Sequence, residues 1–368
     1  MKKALILGTN ETQADIIHYL REEGWEVHAC GYRREGSGCD AAHYFHLVDT
    51  IDVDAVEKLA ADINADIVYS VSSDSNIRSA TKVAESMNLP TLLSSEIIDL
   101  FHYKDKFRQY LNENNINTVK YKKVTSLEQL SGWDIYPCVI KPADSQGQRG
   151  VKLLHCEEGL EESVAEAIRN SSSSLAIIEE YLDGVEISTN MLVQNGKILI
   201  NEFTERLVHG EEFFGVPKGH SIPLRNVNKD LQTESEKLVE NLVDKLKITN
   251  AILYVQMKVT PNGPKIIEVA PRLDGCHIWR LLKFAKGYDL RKYNIDCLLG
   301  KKINVERRND NENYTLYFHQ QKTGEKFTEE GINLSDNTVF NDYRYSKEEI
   351  IRPINGSLEV VGYCVKNE

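Results

Sequence analysis

No two of the seven cysteines (Cys30, Cys39, Cys138, Cys156, Cys276, Cys297 and Cys364) stand at C-x-x-C spacing. Neither a zinc ribbon nor a disulfide framework is indicated, and a reducing cytoplasm is the expected compartment. Long apolar runs are missing as well. The first one, Ala4 to Gly8, gives way to polar residues far short of a signal-peptide core or a membrane span, so no membrane partner is expected. Basic charge is scarce: 44 Lys and Arg against 56 Asp and Glu leave a net charge of −12. The field of such a chain repels nucleic acid and anionic lipid, so any phosphate must be held by a local cluster. Repeats are absent, and the one low-complexity stretch, Ser171 to Ser174, is expected to be a solvated loop. What is present is ordinary globular composition, 41% hydrophobic and 27% charged over 368 residues, which suits two or three domains and excludes a disordered or fibrous chain.

The first ninety-odd residues alternate strand and helix signals: KKALILG, ETQADIIHYLREEG, WEVHACGY, VDAVEKLAADIN, ADIVYSV, DSNIRSATKVAESMN. Short apolar runs between amphipathic stretches predict a small α/β unit with a parallel sheet. Its first turn reads Gly8-Thr9-Asn10-Glu11; it lacks G-x-G-x-x-G and puts an acid where a pyrophosphate would rest. That turn disfavours a nicotinamide-dependent oxidoreductase. A helix SSEIIDLFHYKDKFRQYLNENN, capped by Ser94 or Ser95, then leads into strands TVKYKKV, YPCVIKP and RGVKLLH. From about Leu175 the period moves towards two, and NG turns at Asn195-Gly196 and Asn262-Gly263 predict antiparallel hairpins, hence an appended α+β unit. The last sixty residues hold strand-like YTLYFHQQ and LEVVGYCV without legible chemistry. The expected division is 1–95, 96–180, 181–305 and 306–368.

Three segments carry chemistry. In Pro137 to Val151 an apolar strand delivers Lys141 and is followed by a small polar loop with Ser145, Gln146, Gly147 and Gly150. An ammonium and several backbone N–H groups can thereby surround a polyphosphate, though a plain hairpin with a surface lysine has the same pattern. In Ile177 to Glu186 a strand leaves for an extended linker, with backbone free for an adenine edge and carboxylates at Glu179, Glu180 and Glu186; alone it also reads as a polar hairpin edge. In Tyr254 to Lys258 and Ile266 to Gly275, strand alternation puts Gln256 and Lys258 on one face and allows Glu268 to lie across from Gln256. An oxygen pair of this kind suits Mg²⁺ or Mn²⁺, and a solvated cross-strand polar pair is the bland alternative. His220, in VPKGHSIP, is expected in a polar loop between hairpins, and His277 is a further substrate-pocket candidate.

In this order, VIKP, glycine loop, EEYLDGVE and EVAPR, the segments resemble the ATP-grasp superfamily over about residues 1–300, most of all the synthetase domains of the carbamoyl-phosphate synthetase large subunit and amino-acid ligases. The resemblance implies an N-terminal Rossmann-like domain followed by a two-subdomain ATP-grasp fold, with the last strands completing the larger subdomain. It implies ATP as cofactor, its phosphates held by Lys106 and Lys141 under the loop of Ser145, Gln146, Gly147 and Gly150. Glu179, Glu180, Tyr181 and Leu182 would take the adenine side and Glu186 the ribose, while Gln256 and Glu268 would hold the metal. Arg272 would face the transferred phosphoryl group, with Lys141 and His220 as further catalytic groups. One departure stands out: the family usually writes E-x-N-P-R, and this chain has Ala270, which deletes the asparagine oxygen of a second magnesium site unless water or Asp274 replaces it.

The reaction this implies is ATP-dependent joining of a small-molecule carboxylate to an amine through an acyl phosphate, releasing ADP and phosphate. Phosphorylation turns a poor electrophile into one with a stable leaving group. The chain has one lysine, loop and carboxylate set, not the two of a full carbamoyl-phosphate synthetase, and nothing resembling a glutaminase. A homodimer is a family-level expectation. The alternative is an ATP-binding regulatory protein weakened at the second metal site.

Overall fold

Residues 1–368 are described by the computed structural model apart from 117–118, 146, 148, 211–212, 308–311 and 354–357. The alternating signals of the N-terminal segment become β1 (Lys3–Leu7), α1 (Glu11–Glu22), β2 (Glu26–Gly31), α2 (Ser37–Ala41), β3 (Tyr44–Leu47), α3 (Val53–Ile63), β4 (Ile67–Tyr69) and α4 (Asp74–Ser86). Side chains start the helices: Asn10 accepts from Gln13 N, Asp52 from Ala55 N and Ser73 from Asn76 N. The strands pair in parallel in the order β3-β2-β1-β4, with Leu5, Leu7, Val68, Val56 and Val83 burying one face. The chain reverses direction across this sheet between β1 and β4, where parallel sheets open a crevice beyond their carboxyl ends.

The single helix expected after residue 94 is two: α5 (Ser95–His102) and α6 (Lys104–Glu113). Ser94 caps the first, and extended Tyr103 (ψ 103°) separates them because Lys104 N is drawn off to Ala143 O at 2.9 Å. A small antiparallel sheet follows, from β5 (Tyr121–Val124), β6 (Cys138–Pro142), β7 (Lys152–Leu154), α7 (Leu160–Arg169) and β8 (Ala176–Glu180), in the order β5-β8-β6-β7. Helix α7 covers it over Ile140, Ile178 and Val164.

The remaining strands form one eight-stranded sheet: β9 (Val185–Gln194), β10 (Lys197–Val208), β11 (Pro217–Ile222), α8 (Lys229–Lys245), β12 (Ala251–Thr260), β13 (Gly263–Ala270), α9 (Ile278–Lys286), α10 (Leu290–Leu298), β14 (Tyr314–Lys322), β15 (Thr338–Tyr343) and β16 (Leu358–Asn367). Its order is β13-β12-β9-β10-β11-β14-β16-β15, so the last sixty residues extend the same sheet, and β15 is a strand that the sequence pattern did not announce. Asn195-Gly196 and Asn262-Gly263 turn the β9–β10 and β12–β13 hairpins, Asn195 and Gly196 both with positive φ, as a type I′ turn requires. The apolar core of this sheet runs on into the N-terminal unit, and Tyr69 Oη donates to Asn294 Oδ1 of α10 at 2.9 Å within it.

Candidate active site

Lys141, next to last in β6, lies on the same face as Glu179 of β8, because Val139 pairs with Glu179 and alternate residues share a face. Its Nζ donates to Glu179 Oε2 at 2.6 Å, and Arg108 of α6 grips the same carboxylate with Nε at 2.6 Å and Nη2 at 3.2 Å. All three are buried. Burial alone would raise the Glu179 pKa, yet Arg108 and Lys141 outweigh it and bring it down to about 2. Arg108 also donates to Ile266 O (2.6 Å) and Ile267 O (3.1 Å) on β13, so one guanidinium ties the small sheet to the large one. Glu179, expected beside adenine, is thus the counter-ion of the site's buried cations.

Lys106, expected at the phosphates, is exposed and lies 4.4 Å over the Tyr103 ring. The lysine that reaches the glycine loop is Lys104, whose Nζ donates to Ser145 O at 2.7 Å. Residues four apart share a helix face and residues two apart do not, which is why Lys104 and Arg108 face the site together while Lys106 turns away. Gly147 and Gly150 have positive φ, and a Cβ on Gly150 would meet Pro142 Cγ at 2.9 Å. Gln146 lies outside the described residues. The serine run, expected as solvated loop, instead anchors this segment: Asp144 accepts from Ser172 N (3.1 Å), Ser172 Oγ (2.6 Å) and Ser173 N (2.9 Å). Burial raises the Asp144 pKa, but these hydrogen bonds prevail and hold it below its ordinary value. Asp144→Ala is expected to cost about 1–3 kcal/mol, read by urea denaturation, because the serine donors lose their acceptor. An unchanged midpoint would show the anchor to be idle.

Beyond β8 the linker 181–184 belongs to neither helix nor strand. Glu180 Oε1 takes Lys120 N (2.8 Å) and Tyr181 N donates to Pro137 O (3.0 Å), whereas Leu182 makes no backbone hydrogen bond among the described residues. Gly184 lies so close to β12 that a Cβ would sit 2.2 Å from Val259 O.

On the large sheet Gln256 pairs with Glu268 across the β12–β13 hairpin, next to a bulge at Gln256/Met257, and with Ser188 on β9. Gln256 donates its amide Nε2 to Glu186 Oε1, which leaves Oε1 for another partner. The Glu268 carboxylate makes no hydrogen bond among the described residues. Glu186, expected on a ribose, is held by Arg206 Nε at 2.8 Å, with Lys258 Nζ at 3.8 Å. Arg206, which no sequence motif marked, is buried and also donates to Tyr254 Oη and Gly215 O, each at 3.4 Å. The expected loop histidine is a strand residue: His220 sits in β11, fully buried, opposite Arg206 and Leu316. Its Nδ1 lies 3.3 Å from Thr204 Oγ1 and its Nε2 has no partner among the described residues. Burial, then Arg206, holds its pKa far below the ordinary histidine value, so it is neutral at pH 7.

Arg272 forks onto Asp74 at the start of α4, Nε to Oδ1 at 2.5 Å and Nη2 to Oδ2 at 2.7 Å, and donates Nη1 to Leu273 O at 3.0 Å. The expected phosphoryl contact is therefore a group committed to the N-terminal unit. Ala270 is buried opposite Tyr254 and supplies no oxygen; Asp274 spends Oδ1 on Cys276 N (2.7 Å) and Ile278 N (3.0 Å).

Comparison with known proteins bears on the family and the fold. The ATP-grasp domain family matches residues 135–279. The chain is 26% identical over 234 residues to the carbamoyl phosphate synthase large chain of Clostridium acetobutylicum, covering 61% of this chain and 21% of that one. To the formate-dependent phosphoribosylglycinamide formyltransferase of Prochlorococcus marinus it is 24% identical over 287 residues, 74% of this chain and 70% of the relative. The chain thus spans about a fifth of the length of the first of these relatives and over two thirds of the second. Among solved structures, the L-amino acid ligase from Bacillus licheniformis superimposes with a TM-score of 0.82 at 17% identity, over 100% of this chain and 93% of that one. An ADP complex of an N5-carboxyaminoimidazole ribonucleotide synthetase gives a TM-score of 0.79 at 16% identity, over 100% and 92%. No helix among the described residues is long and apolar enough to cross a membrane.

Proposed function

We propose that this chain, which carries an ATP-grasp domain over residues 135–279, is an ATP-dependent ligase joining a small-molecule carboxylate to an amine, releasing ADP and phosphate. The observation that carries the reading is the facing pair Gln256 and Glu268 on the sheet that Arg108 ties to Lys141 and Glu179. A carboxylate and an amide oxygen, both without a partner among the described residues, are the hard donors that Mg²⁺ or Mn²⁺ accepts when the rest of its shell is phosphate and water. When bound, the ion supplies neutralisation of charge on the phosphates. Lys141 and Lys104 would hold those phosphates beneath the loop of Ser145, Gly147 and Gly150, and the free backbone of Leu182 would take the adenine edge, flanked by Glu180 and Tyr181. Glu186 would fix the Gln256 amide so that its oxygen points to the ion.

In the proposed reaction a carboxylate oxygen attacks the γ-phosphorus of ATP and the bond to ADP breaks. The amine nitrogen then displaces phosphate from the acyl carbon and gives up a proton. Preorganised cations act where charge develops, which is the largest catalytic effect available to such a site. Neutral His220 can offer a hydrogen bond there, not a charge. The test is Mg²⁺-dependent ADP release with small carboxylates and amines, added singly and in pairs. Stimulation by one pair and by neither member alone is expected; ATP binding with no stimulated release by any pair counts against ligation.

Ala270 favours a second reading, an ATP-binding regulatory protein of weak turnover. Under the ligase reading Ala270→Asn is expected to give no gain in rate and to lose about 1–3 kcal/mol, since a larger side chain is forced in against Tyr254. A tenfold gain in ADP release would favour the regulatory protein.

A further inference from the structure

The three residues that follow β6 are pinned from several sides. Ala143 N donates to Leu175 O (3.0 Å), and Ala143 O accepts from Lys104 N (2.9 Å). Ser145 O accepts from Lys104 Nζ (2.7 Å), and Ser145 Oγ donates to Asn170 O (2.7 Å). Between them Asp144, 8% exposed, sets its carboxylate into the turn that joins α7 to β8. That turn is shaped around an acceptor. Buried Ser171 braces it from inside, its Oγ accepting from Leu175 N (3.1 Å) and lying 3.0 Å from Ser173 Oγ. The N–H groups of Ser172 and Ser173 and the Ser172 hydroxyl then converge on Asp144. An ionised carboxylate only accepts, whereas an amide of the same shape would bring a donating NH₂ to three donors.

Charge alone argues against a carboxylate at this place. Burial raises the Asp144 pKa but the serine hydrogen bonds outweigh it, so the group is an anion at pH 7, next to residues that would surround a polyphosphate. Like charges repel, so Asp144 can favour a phosphate chain only through position. Position is what its contacts supply. Lys141 stands three residues before it and Ser145 directly after it, and Ser145 O is the group that holds the Lys104 ammonium. Fixing Asp144 thereby fixes the backbone between the two cations. The far end of the same segment meets the same turn, since a Cβ on Gly150 would lie 3.1 Å from Asn170 Nδ2.

We infer that Asp144 is a positioning residue for the nucleotide's phosphate chain: seated in the α7–β8 turn, it sets Ser145 and, through the Ser145 carbonyl, the Lys104 ammonium relative to Lys141. Its effect falls on the phosphates and not on the base side at Glu180, Tyr181 and Leu182. This rests on the nucleotide part of the proposed function and not on ligation. It gives the serine run, 28 residues from Asp144, a task in binding as well as in folding.

The experiment is calorimetric titration of the intact protein with Mg·ATP and Mg·ADP, and with adenosine read by competition, in the unaltered chain and in two variants. Asp144→Asn should weaken Mg·ATP and Mg·ADP by about tenfold or more and leave adenosine within about twofold. Loss of the charge by itself predicts the opposite sign, since an anion has gone from the phosphate site. Equal or tighter Mg·ATP binding by Asp144→Asn therefore overturns the proposal. An equal loss for adenosine overturns it as well, being the result if the substitution merely loosens the small sheet. Ser172→Ala covers the case in which Asp144→Asn fails to fold, because Ser172 is exposed and only one donor of the three is removed. It should weaken Mg·ATP about two- to fivefold with adenosine unmoved, and less than that in the Asp144→Asn background, because both changes break one contact. Full additivity in the double variant, or unchanged Mg·ATP affinity in Ser172→Ala, overturns the proposal. Failure of the wider reading looks different. An unaltered protein that binds no Mg·ATP overturns this inference together with the nucleotide site, whereas the expected split between ATP and adenosine, with no ADP release from any pair, supports it and overturns ligation alone.

Discussion

Glu268→Gln is expected to lower Mg²⁺-dependent ADP release by about two to three orders of magnitude while leaving the urea midpoint nearly unchanged. The two halves of that expectation have separate causes. The Glu268 carboxylate makes no hydrogen bond among the described residues and is only half-buried, so an isosteric amide breaks nothing that holds the hairpin together. Its charge, however, is what distinguishes it from Gln256 across the strand pair. With Gln256 neutral, removal of the Glu268 charge leaves two amide oxygens, and a hard divalent ion loses its one anionic ligand of the pair. Raising Mg²⁺ should restore part of the rate, and Mn²⁺ should restore more, because it binds a given set of N and O ligands more tightly than Mg²⁺. A rate within threefold of the unaltered protein would remove Glu268 from the metal site. A collapse of the midpoint by several kcal/mol would instead make it a structural residue.

How much of this site could be read beforehand follows from sequence distance. Period-two alternation and the two NG turns specify the hairpins locally, and hairpin register then places Glu268 opposite Gln256 with no further information. Lys141 and the glycine loop are legible for the same reason: strand end and loop are contiguous. The partners that cross between units are not. Arg108 finds Glu179 across 71 residues and Arg272 finds Asp74 across 198, and no local pattern encodes either meeting. The resemblance alone points to Lys106, whereas helix geometry selects Lys104 and Arg108. His220 looked like a loop residue because proline and glycine surround it. In the sheet, though, Pro217 opens β11, and Gly219 lets the strand pair closely with β14, where a Cβ would meet Leu316 O at 2.1 Å. The serine run carried no signal for its role, since its partner Asp144 lies 28 residues away.

Glu179→Gln is expected to be the most destabilising of these changes, by about 3–5 kcal/mol, a large share of the roughly 5–15 kcal/mol that holds a domain folded. The carboxylate takes both Arg108 and Lys141 within a buried site, and neither cation has another carboxylate in hydrogen-bonding reach among the described residues. Arg108 keeps the carbonyls of Ile266 and Ile267, but those are dipoles and do not neutralise it. The same group sets an acid dependence. Its folded pKa of about 2 lies below the ordinary 4.5, so its contribution is fully present above pH 4.5 and is lost as the pH falls from there towards 2. Urea midpoints of the unaltered protein should therefore drop through that window. In Glu179→Gln the midpoint should start lower at pH 7 and fall less between pH 4.5 and 2, the other carboxylates supplying what slope remains. Equal slopes in the two proteins would mean that Glu179 is not the titrating counter-ion. A loss at pH 7 below about 1 kcal/mol would mean that water already screens the buried cations. Lys141→Met in the Glu179→Gln background separates the two effects: if the cost comes from an orphaned ammonium, removing that ammonium should recover part of the lost stability and still abolish ADP release.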